Sequence, residues 1–572
     1  MDFAMYRVLH DVHLVCLSVC EQDISKFSRR IGTKLDGQVG CVTRMDRFDF
    51  GEDPDPDPAR QWDTKRKLFS LAEISVNMET SGSSECCCGM EDAERVTEQA
   101  SEVVVFDDGS LTLPVIVVGN GPSAIFLSLL LSGWRPQIVS EPSHSNPLLD
   151  CKLKELAGQG LFEQDLEYLS QGLEGRTSNP VSLLLDALLR PDADCGSEQP
   201  SLLDWHCDSS RAIPHLVLGR GPPGGSWNDM EGSMRTLSLG SWMELPVLSF
   251  KDWMLENRRN FRNDRATAAD VAAYYRHYVH AMCLDCRFIT GTHVTSVKRI
   301  TPPAHDHSVA SWEVNGHHVG TDQQVNKSFR VRAATVVLAT GSTDMAVKLG
   351  VPGEELSYVG HTAQHLEAIL KETPKGLSAT FPPVLVIGGG FSAADAVLAL
   401  RHAGLPVIHA FRSPPGVSGH GLAQLPSSLY PEYHKVLQMM HLGNESYYGF
   451  TSLPSHRVLC FLPNNKVLLA GPSNSPLIAQ TVLAVAVRIG SAPDLSFLPE
   501  GGQALARYPN DRINPRSNPV ALEPLTHETE AEPGLFAIGP LAGDKFVRFS
   551  LGGVLAVAVC IASRQETESI KT

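Results

Sequence analysis

Polar and apolar positions divide the chain into a long polar beginning and a body of short, sharply bounded elements. Residues 51–102 carry Asp53-Pro54-Asp55-Pro56-Asp57-Pro58 and Ser/Glu/Gly-rich segments. Such a composition buries too little apolar surface to offset chain entropy, so residues 1–110 are expected to form a disordered acidic tail. The texture changes at Leu113. Pro114–Val118 is rich in β-branched residues, glycines follow, and Pro122–Leu131 is small and apolar, which predicts a strand-loop-helix unit. The same texture returns with Val384–Ile387, three glycines and the helical Ala393–Arg401. Two such units predict an α/β protein with two Rossmann-like dinucleotide-binding domains.

Other periodic segments fit around these units. Leu156, Leu161, Leu166, Leu169, Leu183–Leu185, Leu188 and Leu189 have helical spacing, so 142–212 is expected to be a helical insertion, either a packed lid or a partner-binding surface. The resulting domains are 111–345 for the first unit, 346–500 for the second, inserted in the first, and 501–572 for a return to the first. Formal charge is −16, from 48 Lys+Arg against 64 Asp+Glu, which gives no footprint for nucleic acid. The apolar runs Val482–Ile489 and Gly552–Ala562 fall short of the roughly 18 residues of a spanning helix, so no transmembrane segment is expected. Thirteen cysteines without a repeated spacing fit reduced thiols and a cytoplasmic or nuclear compartment.

The candidate chemistry lies in glycine loops. Gly119-Asn120-Gly121-Pro122-Ser123-Ala124 is G-x-G-x-x-A between a strand and a helix. Gly119 allows a tight turn, Gly121 a close backbone approach to a pyrophosphate at the helix N-terminus, and Ala124 close helix–strand packing. An acid about 20 residues further on is expected at the ribose. Glu141, closing the strand-like Gln137–Ser140, is the candidate, but His215–Leu218 competes for the second strand and would leave that acid missing. A second glycine loop holds Gly224, Gly225 and Trp227, and the apolar Val336–Leu338 runs into Ala339-Thr340-Gly341.

Gly388-Gly389-Gly390-Phe391-Ser392-Ala393-Ala394-Asp395 reads G-x-G-x-S-A-x-D, with Gly388, Gly390, Ser392 and Ala393 shaping the second cradle. The following strand ends in Arg412-Ser413, a cation and a hydroxyl where an NAD site places an acid. That favours NADPH over NADH, because a guanidinium pairs well with the 2′-phosphate. Asp544 follows the Gly534–Pro540 strand and turn and precedes a small-residue helix.

In order and content these motifs resemble the flavin-dependent monooxygenases. There the GG-x-W around Trp227 looks like the loop beside the FAD pyrophosphate and isoalloxazine. Ala339–Gly341 looks like the segment returning from the NADPH domain, and Asp544 like the acid that accepts from the ribityl hydroxyls. More narrowly, Leu173–Arg176, Leu425–Val436 and Gly539–Phe549 resemble the oxidative-stress-induced growth inhibitor family of animals, over roughly Pro114 to Ala562. The resemblance implies FAD and NADPH as cofactors and a monooxygenase-like activity. It further implies control of growth, cell death and cytokinesis under oxidative stress, with the nucleus and midbody as locations beside the cytoplasm, and regulatory protein partners at the insertion.

Three departures stand out. The insertion separates Glu141 from GG-x-W; the expected F-x-G-x-x-x-H motif is degenerate, with His361 and His365 around it; and the later strand Val482–Ile489 ends in Gly490-Ser491. A catalytically weak regulatory scaffold and an NADPH oxidase releasing peroxide are the competing readings. A disulfide reductase is disfavoured, because Cys283 and Cys286 lie beside neither dinucleotide loop.

Overall fold

A computed structural model describes residues 112–196, 199–257, 265–300, 312–319, 325–372, 381–413, 421–472 and 475–571. The tail expected over 1–110 lies outside the described residues. β1 (Thr112–Val118) leads into α1 (Pro122–Leu131) and β2 (Trp134–Ile138); α2 (Pro180–Leu189) and β3 (Leu203–Cys207) precede β4 (His215–Leu218). After α3 (Ala268–Ala281) come β5 (Phe288–Ile289), β6 (Thr292–Arg299), β7 (Trp312–Val319) and β8 (Val325–Leu338). β9 (Met345–Ala346) and β10 (Val359–Gly360) lead to β11 (Val384–Ile387), α4 (Phe391–His402), β12 (Val407–Phe411), α5 (Pro431–Leu442) and β13 (Phe450–Pro454). An antiparallel trio, β14 (Arg457–Leu462), β15 (Lys466–Ala470) and β16 (Ile478–Thr481), precedes β17 (Val485–Val487) and β18 (Ser491–Ala492). The chain closes with β19 (Leu535–Ala537) and α6 (Val547–Lys571).

One sheet runs β5-β4-β1-β8-β7-β6, with β19 also on β8. β4, β1, β8 and β19 are parallel, while β6 and β7 form an antiparallel extension. The second sheet, β10-β17-β11-β12-β13, is wholly parallel. Both central strands are apolar runs because both of their faces are covered. Val115 and Val117 join the core formed with α1, α3 and α6, whereas Ile116 and Val118 face the core that contains Trp312 and Phe497. The chain leaves the first sheet through β9 and returns through β18, which pair antiparallel. This is the expected α/β architecture of two dinucleotide-binding units, one inserted in the other.

The insertion is built into this core. Asn179 caps α2 by accepting from Ser182 N at 3.1 Å, and Pro180 sits in the first turn, where its missing N–H costs nothing. Leu153, Leu161, Leu184, Leu185 and Leu188 are buried in the cluster that holds α1 and α6. At the crossing of α2 with α6, Gly552 lies so close that a Cβ would overlap the backbone of Ser182. Arg548, its side chain 1% exposed, donates to both Asp186 oxygens at 2.6 Å and to Asp194 at 2.9 Å. The expectation of no spanning-length apolar helix needs correction: α6 over Val547–Thr567 is long and apolar enough, but it is mostly buried within the fold.

Candidate functional site

Three distant stretches of chain build the first cradle. Gly119 takes φ +105, and a Cβ there would overlap the carbonyl of Ala339, so the turn after β1 and the Ala339-Thr340-Gly341 turn after β8 pass in direct contact. Only glycine satisfies both the left-handed backbone and the contact. Gly121 is extended, N-caps α1 without a side-chain cap, and would place a Cβ in open space. The first-turn N–H groups of α1 thus face an open hollow, the arrangement that suits a phosphate. Ala124 is fully buried behind it.

Gly224 and Gly225, with φ +114 and +57, bring the second loop onto the first. Gly224 N donates to Asn120 O at 2.9 Å, and a Cβ at Gly225 would stand 3.0 Å from Gly121 Cα. Trp227 is half-buried against the core. Thr340 holds its hydroxyl oxygen buried without a protein partner, and Gly341, at φ +73, opens onto free space.

The third stretch precedes α6. A Cβ at Gly539 would come within 2.7 Å of Ser123 Oγ, and Ser123 Oγ donates to Ser550 Oγ at 3.2 Å, so this turn lies against the start of α1. Asp544 follows, 9% exposed, with Oδ2 buried and unpartnered. Burial alone pushes its carboxyl up to about 7. An orphaned acceptor beside an open glycine cradle fits the hydroxyl-rich chain of a flavin dinucleotide.

The second cradle repeats the first. Gly388 has φ +135 and would overlap the Arg488 carbonyl at the end of β17, just as Gly119 meets Ala339. Gly390 N-caps α4 without a side-chain cap and faces open space. Ser392 is exposed in the first turn, and Ala393 is buried beneath it. Arg412 and Ser413 directly follow β12, the strand paired with β11, and both are exposed. Asp395 accepts from Tyr433 Oη at 3.0 Å, and burial pushes it up to about 6.

Among known proteins, residues 250–415 match a family model described as pyridine nucleotide-disulphide oxidoreductase. Oxidative stress-induced growth inhibitor 1 of Mus musculus is 47% identical over 464 residues, covering 79% of this chain and 96% of that protein. Oxidative stress-induced growth inhibitor 2 of Homo sapiens is 42% identical over 492 residues, covering 82% and 97%. The chain belongs to the oxidative stress-induced growth inhibitor family. Its fold is also similar to bacillithiol disulfide reductase from Bacillus cereus, with TM-score 0.50 and 17% identity, covering 79% of this chain and 99% of that one.

In this member of the growth inhibitor family Glu141 does not take the place its spacing suggested. The strand beside β1 is β4, whereas β2 pairs antiparallel with β3 in a separate two-stranded sheet, and Glu141 is exposed beyond it. Gly219 directly follows β4 instead, and after it comes Arg220, whose guanidinium donates to Asp344 and Asp494 at 3.3 Å each. His361 Nε2 lies 2.8 Å from Glu354 Oε1, and the His365 ring covers Gly360.

Sequence reasoning missed two further contributors. The buried His409 bonds the Gly388 carbonyl through Nε2 at 2.7 Å and so supports the second glycine turn. Arg488 donates from its guanidinium to the carbonyls of His361 and Thr362. Neither has a spacing signal, because each acts through strand pairing.

Proposed function

We propose that this protein is an NADPH-dependent FAD oxidoreductase of the monooxygenase type, regulating growth, cell death and cytokinesis in the oxidative stress response. The observation that carries this reading is the orphaned, buried Asp544 carboxylate beside the open cradle at Gly121, with a second open cradle at Gly390. Gly119, Gly121, Ala124, Gly224, Gly225, Trp227, Thr340, Gly341 and Asp544 would hold FAD, and Gly388, Gly390, Ser392, Ala393, Arg412 and Ser413 would hold NADPH. When bound, FAD supplies the redox chemistry, accepting hydride from NADPH and passing electrons to oxygen. The chain's own residues bind and orient. The first turns of α1 and α4 present N–H groups to phosphates, Asp544 accepts from hydroxyls once ionised, and Arg412 pairs with a 2′-phosphate. No cysteine stands in any of these loops, which speaks against a dithiol relay.

Anaerobic absorbance of the purified full chain tests the reading. A yellow protein bleached by NADPH, and more slowly by NADH, is expected. Readmitted oxygen then separates productive oxygenation from peroxide release, the oxidase reading. Retained flavin with no bleaching by NADPH would leave the scaffold reading, which the engagement of His361 by Glu354 favours. Arg412→Ala should narrow the NADPH preference by roughly tenfold, the worth of one charged hydrogen bond.

A further inference from the structure

In a dinucleotide-binding βαβ unit an acidic side chain at the end of the second strand takes the adenosine ribose hydroxyls. The strand beside β1 here is β4, in register Val118 with Leu218, so that position belongs to Gly219. No side chain fits there, because a Cβ on Gly219 would overlap the Asn120 carboxamide. Asn120 thus stands where the acid would stand. It is 5% exposed, and it is held from two sides: Nδ2 donates to Gly221 O at 2.7 Å, and its main-chain oxygen accepts from Gly224 N at 2.9 Å. Among the described residues no donor is bonded to its Oδ1. The neighbouring charge is not available for the task, since Arg220 is shared between Asp344 and Asp494.

We propose that Asn120 replaces the ribose-recognising acid, its Oδ1 accepting from a hydroxyl of the adenosine ribose of FAD while Nδ2 fixes the loop from Gly219 to Gly225. The proposal rests on the flavin reading above. It gives one residue two separable jobs, an acceptor toward the ligand and a donor toward the loop. It also makes the pair Asn120 and Gly219 interdependent, because either side chain excludes the other.

Equilibrium binding to the deflavinated full-length protein tests it, with flavin fluorescence as the readout. The two probes are FAD and an FAD analogue whose adenosine ribose lacks both hydroxyls. Wild type is expected to bind FAD roughly three- to tenfold more tightly than the analogue. Asn120→Ala should bind the two equally, and Asn120→Asp, which keeps the acceptor but loses the donor, should keep the discrimination while binding both more weakly. Discrimination that persists in Asn120→Ala overturns the proposal, because the ribose is then held elsewhere. If Asn120→Ala does not fold, wild type and Asn120→Asp still decide, since a wild type indifferent to the ribose hydroxyls overturns it as well. A wild type that binds neither flavin brings down the flavin reading itself.

Discussion

A carboxyl shut away from water with one oxygen unpartnered carries its cost in the pH dependence of the fold. Asp544 sits near 7 instead of its ordinary 3.8, through burial. Between those values the native flavin-free protein holds a proton that the unfolded chain has released, so stability is expected to fall as pH rises from about 4 to about 7. Asp544→Asn lacks that slope. Thermal midpoints of the flavin-free proteins from pH 5 to pH 8 should therefore move in the variant's favour as pH rises, and a constant difference would refute the assignment. Gly121→Val acts otherwise. Among the described residues nothing beyond its chain neighbours lies within 4 Å of a Cβ there, so the fold should hold while FAD is lost; a variant purified with wild-type flavin occupancy would sink the cradle. Such glycines were legible in sequence because their constraint is local. The ribose position was not: Glu141 has suitable spacing, but an insertion follows β2, and the next strand along the chain is not the next strand in the sheet. The place of Asn120 appears only once β4 is paired.

At the scale of elements, β-branched runs followed by glycine announced β1, β11 and the end of β8, since strands covered on both faces have no polar side to confuse the pattern. The leucine spacing of the insertion likewise announced helices. What it could not announce was their partner, because α2 packs on α6 near the other end of the chain. Gly552 reads in sequence as an ordinary small residue of an apolar helix; in space it is the point of contact with Ser182. Gly552→Val should force the helices apart at a cost of about 1–3 kcal/mol. Denaturant unfolding measures that loss directly, and since Asp544 lies just ahead of the same helix, flavin should dissociate more easily. Unchanged stability would mean that the two helices slide past the added volume.

For the whole molecule, the contacts between the two units are as specific as those within them. Arg265, 4% exposed, comes from the stretch before α3 and donates to Glu432 at 2.6 Å and to Leu429 O at 3.2 Å, with its guanidinium 4.4 Å from the Tyr430 ring centroid. Tyr430 and Glu432 flank the start of α5 in the other unit, so the family-like segment Leu425–Val436 meets the first unit here. Arg265→Met removes the charge and leaves Glu432 unpaired. Calorimetry is expected to show one coupled transition for wild type and two for the variant; a single transition of the variant at the wild-type midpoint would show that the units are held together elsewhere.

The passage out through β9 and back through β18 also orders events on the ribosome. Every strand of the second sheet has been synthesised before β19 and α6 emerge, so that unit can close while the first sheet still lacks β19 and the core its last helix. Asp544 and the Gly552 contact come later in the chain than every strand of the second sheet, so the first cradle is completed after the second unit has all its strands. Until then the leucines of the insertion have no α6 to pack against, so in the interval between closing the second unit and completing the first a nascent chain leaves that apolar surface open to chaperones.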